Sequence, residues 1–351
     1  MNYGISVLFR AIPLLMALFC FGYGLFVSLY GSNPDREVAG PVVFSLGMIC
    51  IALYATAATI IRQIIGTFGI VSKYIFPIVG YLSALLTLVG GLLWLHSSTE
   101  ASSFVAGHVI CGVAFITACV ATTATSSTRF TMITVNAKRS DHVVPSEAFI
   151  RTQALLLISV ATLLSVIAWI WAFVLLSKGG TDSKYFVAGH VMVGLACICT
   201  SLIALVATIV RQIRNLFSAR ERKLWPLLVI LMGSLCVIWG LALILCTANM
   251  SNGATGYIMI GLGLVCYSIS SKVILLSKIW RHEFKLSNRI PLIPIFTALS
   301  CLFLSAFLFE MASEHSYYFV PARVLAGLGG ICFTLFSIVS ILESGTSSKP
   351  G

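Results

Sequence analysis

"FVAGHV" occupies Phe104–Val109 and recurs, residue for residue, at Phe186–Val191. Each copy heads a long apolar run and carries a histidine in fifth place. Three degenerate copies head further runs: "EVAGPV" at Glu37–Val42, "GATGYI" at Gly253–Ile258 and "FVPARV" at Phe319–Val324. The fourth residue of each copy serves as an anchor, giving Gly40, Gly107, Gly189, Gly256 and Ala322. Successive anchors are 67, 82, 67 and 66 residues apart, the long interval being accounted for by a polar loop near Ser140–Ser146. A period of this size marks a repeated supersecondary unit. Here the unit contains two apolar runs, which makes it a helical hairpin.

The chain has 351 residues, of which 59% are apolar and only 9% charged. A soluble domain carries about 25% charged residues, because its surface must face water. Here most of the surface must face lipid. Runs of roughly 20 apolar residues cross a bilayer. Ten are present, approximately Ser6–Tyr30, Val38–Ile61, Ile75–Leu95, Phe104–Ala124, Ala154–Leu176, Phe186–Val210, Trp225–Leu245, Tyr257–Leu276, Leu292–Met311 and Phe319–Leu342. All are expected to be helical, since hydrocarbon offers unpaired backbone groups no partner and barrel-type alternation is absent. The first run is too long for a signal peptide and lacks a small-x-small cleavage site, so it reads as a retained helix. The expected fold is one all-α membrane domain of five hairpins, approximately 1–66, 67–140, 141–218, 219–284 and 285–351.

The net charge of +11 is a topology signal rather than the mark of a nucleic-acid partner. Sixteen basic residues follow the even-numbered runs or lie in the tail; four (Arg36, Lys178, Lys184, Arg323) lie at the opposite end. This asymmetry predicts cytoplasmic termini. All five hairpins then insert the same way up, related by an axis along the membrane normal. The simplest closed arrangement is a single-chain ring with pseudo-fivefold symmetry, even helices inside. Odd helices, with Trp169, Trp171 and Trp239, would face lipid.

The anchor positions form a seam of small residues continued seven and ten residues further on, by Gly47, Ala114, Ala196, Gly263 and Gly329 and by Cys50, Thr117, Cys199, Cys266 and Cys332. These offsets share one helix face. Five helices in contact at about 8–10 Å would leave a lumen of only a few Å. The orientation of the seam therefore decides whether a pore exists: facing the centre it widens a pore, facing a neighbour it serves close packing. Pro77, Pro226 and Pro291, about 30 residues before their anchors, are expected in first helical turns.

Directly after the anchors stand Pro41, His108, His190, Tyr257 and Arg323. At one depth of a ring, two histidines and an arginine could attract anions or respond to acidity; the alternative is that they only satisfy their helix ends. Glu310 is a candidate partner for Arg323, as clamp or gate, and Arg10 could meet Glu343 where the first and last helices adjoin. Twenty-two residues past the anchors lie Arg62, Arg129, Arg211 and Lys278. They either complement helix dipoles or form a cytoplasmic ring favouring anions. Lys272 lies some four turns past its anchor, near enough to the interface to snorkel.

Enzymatic chemistry has little support. There is no phosphate loop, H-E-x-x-H or nucleophile elbow, and no metal-ligand cluster. The eleven cysteines lie in or beside the runs without metal or redox spacing, which reads as packing. No catalytic residue, metal or cofactor is expected. The partners expected are membrane lipids and a small polar or anionic solute. A membrane stress-response or scaffold protein that transports nothing is the competing reading.

The "FVAGHV" heads, "ATIVRQIRNLFS" (Ala207–Ser218), "NRIPLIPIFTALSCLFLSAFLFEMA" (Asn288–Ala312) and "RVLAGLGGICFTLFSIVSILE" (Arg323–Glu343) resemble the YhiM-like family of polytopic inner-membrane proteins of enterobacteria. The likeness covers essentially the whole chain. It implies a Gram-negative inner membrane and carries over no ligand or catalytic residue.

Overall fold

The computed structural model describes residues 3–31, 33–65, 69–97, 100–136, 146–180, 182–213, 216–279 and 289–347. It contains ten helices long and apolar enough to cross a membrane, and no strand among the described residues. They are α1 (Tyr3–Tyr30), α2 (Arg36–Ile65), α3 (Ile70–Ser97), α4 (Ala101–Asn136), α5 (Glu147–Lys178), α6 (Ser183–Ile213), α7 (Ala219–Cys246), α8 (Thr255–Ile279), α9 (Leu292–Glu314) and α10 (Phe319–Ser347). A one-turn helix, Met250–Gly253, precedes α8, and a 3-10 turn, Ser316–Tyr318, precedes α10.

The helices form two layers. The even helices are 72–89% buried along their spans, the odd ones 28–33%. Among the described residues, Phe44 is the one large apolar side chain of an even helix that is exposed. The odd helices present rows such as Leu85, Leu86 and Leu93, as expected of a lipid-facing surface. Each odd helix packs on the even helix that follows it. The even helices also pack in succession: α2 on α4, α4 on α6, α6 on α8, α8 on α10, and α10 back on α2. The first and last helices adjoin, α1 lying against α10, where Ser337 donates a hydrogen bond to the Phe9 carbonyl.

The anchors face their own hairpin partners. A methyl group on Gly40 would meet the carbonyl of Gly24 in α1 at 2.8 Å, and one on Gly107 would meet Leu95 of α3 at 2.6 Å. Gly189 abuts Leu176 of α5, Gly256 abuts the carbonyl of Gly240 in α7, and the Ala322 carbonyl accepts a hydrogen bond from Ser305 of α9 at 2.6 Å. The seam therefore serves close helix approach, the packing alternative raised by its small residues.

A second set of glycines, five residues past the anchors, faces the next even helix. A methyl on Gly112 would meet Met192 and Leu195; one on Gly194 would meet Met259 and Leu262; one on Gly261 would meet Leu325 and Leu328; and one on Gly327 would meet Leu46.

Three expectations need correction. Pro77 and Pro226 lie inside α3 and α7, which begin about two turns earlier at Ile70 and Ala219; Pro291 alone caps its helix. The indole of Trp169 donates to Thr200 of α6 at 3.0 Å. Trp171 and Trp239 seal joints between hairpins rather than facing outward.

Candidate functional site: a funnel closed by an apolar plug

The even helices turn a face of branched apolar residues toward one another. At the end where these helices begin, a cavity of about 310 Å³ opens. Its wall is built from residues two before and two after the anchors, on the five even helices or, for Ala254, directly before one: Val38, Val105, Val187, Ala254 and Val320, then Val42, Val109, Val191, Ile258 and Val324. Its rim is polar, with Asp35, Ser102, Asp182, Lys184, Ser251 and Tyr317. Lys184 pairs with Asp182 at 3.4 Å. Burial pushes the Asp35 carboxyl above its ordinary pKa.

Further along the same helices lies a gap of about 30 Å³ lined only by Leu, Ile and Val. Nine residues past the anchors come Ile49, Ile116, Ile198, Val265 and Ile331; thirteen past come Leu53, Val120, Leu202, Ile269 and Leu335. Leu46, Leu195, Leu262 and Leu328, six past, complete the lining. A water there would find no polar partner, so the gap is dry. Corresponding positions of the five even helices line both cavities, the second further along each helix than the first. The first is open and polar-rimmed; the second is small, apolar and dry, and forms a plug.

The histidines line neither cavity. His108 Nδ1 is 2.7 Å from the Phe104 carbonyl, and His190 Nδ1 is 2.7 Å from that of Phe186. Each ring also meets a tryptophan of the next hairpin, His108 at Trp171 (5.8 Å) and His190 at Trp239 (6.0 Å). Tyr257 packs against Tyr318 at 5.9 Å. Arg323 donates to the Phe319 carbonyl at 3.0 Å, its guanidinium 3.4 Å from the Phe319 ring centroid and 4.8 Å from that of Phe309. It forms no ion pair with Glu310, which is exposed. None of His108, His190, Tyr257 and Arg323 contributes to the funnel lining.

At the basic end, three corresponding residues grip the helix that follows them. Arg62 donates to Ser72 at 3.0 Å and lies over Phe76. Arg129 donates to Gln153 at 2.5 Å. Arg211 pairs with Glu221 at 2.7 Å, and Glu221 closes a capping box with Ser218 at the start of α7. They act as ties to α3, α5 and α7. The side chains of Lys278 and Arg10 lie outside the described residues, and with them the Arg10–Glu343 clasp.

Lys272 does not snorkel. It is 1% exposed, and among the described residues no other Lys, Arg, Asp or Glu is buried to that degree. Reading it as interfacial came from its distance along the helix, which ignores the layer of lipid-facing helices around α8. No cluster of metal-ligating side chains exists among the described residues, and all of the cysteines are free, with only Cys246 exposed.

These features define a polytopic helical membrane protein. Comparison with known proteins agrees with that class. The family described as "Protein of unknown function (DUF2776)" matches residues 1–347, and the chain belongs to that family. It is also similar to Inner membrane protein YhiM of Escherichia coli (strain K12), with 47% identity over 99% of this chain and 100% of the relative. The protein is accordingly a multi-pass protein of the inner membrane. No solved structure matches it.

Proposed function

We propose that the chain is a channel or transporter for a small polar or anionic solute. In this reading it is a single-chain ring of five repeated hairpins with pseudo-fivefold symmetry, inserted with both termini in the cytoplasm. The observation that carries the reading is the polar-rimmed funnel that narrows onto a dry plug along equivalent faces of all five even helices. Apolar constrictions gate permeation by excluding water, so the conformation described corresponds to a closed state. The contacts of Gly112, Gly194, Gly261 and Gly327, each onto the next even helix, support the ring. The charge asymmetry supports the orientation. No chemical transformation is assigned to the chain.

The filled centre also favours a second reading, a membrane scaffold that passes nothing. Flux separates the two. Purified protein in liposomes is expected to leak small solutes slowly. Replacing Ile198 and Leu262 together by Ser wets the plug and should raise leakage at least tenfold. A folded double variant as tight as empty liposomes would reject transport and leave the scaffold.

A further inference from the structure

We infer that Lys272 is an anion-binding and anion-selecting residue on the axial path, and that its ligand is a small inorganic anion. The inference rests on the conduit reading above and names the solute class it admits. Lys272 follows Ile269 by three residues and Val265 by seven, a spacing that keeps all three on one helix face. Ile269 and Val265 line the dry gap, so Lys272 takes the next position along the same path. The corresponding positions of the other even helices are Thr56, Thr123, Leu205 and Ile338, all buried. A lysine and two hydroxyl groups thus stand at one level, directly beyond the plug.

The bland alternative is a packing lysine, and three observations weigh against it. First, its side chain is only 1% exposed, far from the open surface a snorkelling lysine would keep. Second, among the described residues no carboxylate lies within ion-pair distance of it. An unpaired buried cation is strongly unfavourable, and methionine would fill the same volume without a charge. Third, the charge occurs on only one of five equivalent helices, so the architecture does not require it. Ionisable groups inside membrane domains mark substrate paths, and lysine or arginine lining a pore favours anions. Thr56 and Thr123 donate to the carbonyls of Ala52 and Cys119, both at 3.0 Å. Their hydroxyls can turn toward an anion arriving beside the ammonium.

The test uses the full chain with its plug opened by Ile198→Ser and Leu262→Ser, in planar bilayers under a potassium chloride gradient. Reversal potentials should report at least a tenfold preference for chloride over potassium. Adding Lys272→Met should bring the ratio near one while keeping conductance, and Lys272→Arg should retain the preference. A ratio unmoved by Lys272→Met would overturn the inference while leaving the conduit intact. If the opened variant conducts nothing, the conduit reading fails, and anion binding still decides the site. Replacing gluconate by chloride at constant ionic strength should raise the Tm of the unmodified protein by about 2 °C or more. An equal response in Lys272→Met, or in Lys272→Gln should the former misfold, would likewise overturn the inference.

Discussion

Each even helix has two faces with opposite composition. The outward face carries the anchors Gly40, Gly107, Gly189, Gly256 and Ala322 against the odd helices. The inward face carries leucine, isoleucine and valine, which line the cavities shared by the five even helices. Small residues sit where backbones must approach, and bulky branched ones sit where the even helices face one another. A pore lined by glycine was one alternative open to the sequence. The contacts put the glycines in joints and the bulk at the centre, which makes the inner face a plug.

The largest effect expected from breaking this contrast is at Gly256. Leucine there meets the Gly240 backbone, a clash that no rotamer relieves. Gly256→Leu should cost about 3 kcal/mol or more, seen as lost yield and a lower Tm in detergent. On the inward face, Leu195→Ala enlarges a gap that already exists. It should cost about 2–3 kcal/mol, at the low end for such truncations, and raise solute leakage. Tolerance of Gly256→Leu together with unfolding by Leu195→Ala would reverse the assignment of the two faces.

A middle-sized effect belongs to the joints between hairpins. Replacing His108 and His190 together by Ala removes their contacts with Trp171 and Trp239. Each should cost about 1 kcal/mol, measured by thermal denaturation, with flux and its pH dependence unchanged. The smallest effect is at the funnel mouth. Burial raises the pKa of Asp35, so the folded state binds its proton more tightly than the unfolded state. Its contribution to stability is therefore present at low pH and lost as pH rises through the folded value. Asp35→Asn should remove that pH dependence and stabilise at neutral pH by under about 1 kcal/mol, given screening at a partly exposed site. A pH titration of Tm checks the sign.

The spans were legible because length and apolarity suffice to specify a membrane helix. Glycine at a fixed interval was legible because few residues substitute for it at a close approach. The inner face was not. Leu46, Ile49 and Leu53 facing an axis are chemically the same as Leu85, Leu86 and Leu93 facing lipid, and only contacts tell them apart. Lys272 was misplaced for the same reason, since α8 is enclosed in part by helices of other hairpins, α6, α9 and α10. The histidines drew attention through their repetition, yet their neighbours Trp171 and Trp239 are distant in sequence and invisible to a reading of spacing. Helix ends also escaped: α4 runs on to Asn136 through serines and threonines that hydropathy alone excludes.

The account stands or falls on the closing contact between the first and fifth hairpins, where a methyl on Gly327 would lie 2.6 Å from Leu46. Cysteines placed at Leu46 and Gly327 in a background free of other cysteines, with a protease site engineered between α4 and α5, test it directly. Closure predicts that copper-catalysed oxidation joins the two cleaved fragments on a non-reducing gel, and that a control pair at Leu46 and Gly194 leaves them separate. Fragments that separate for the 46–327 pair as readily as for the control would contradict it.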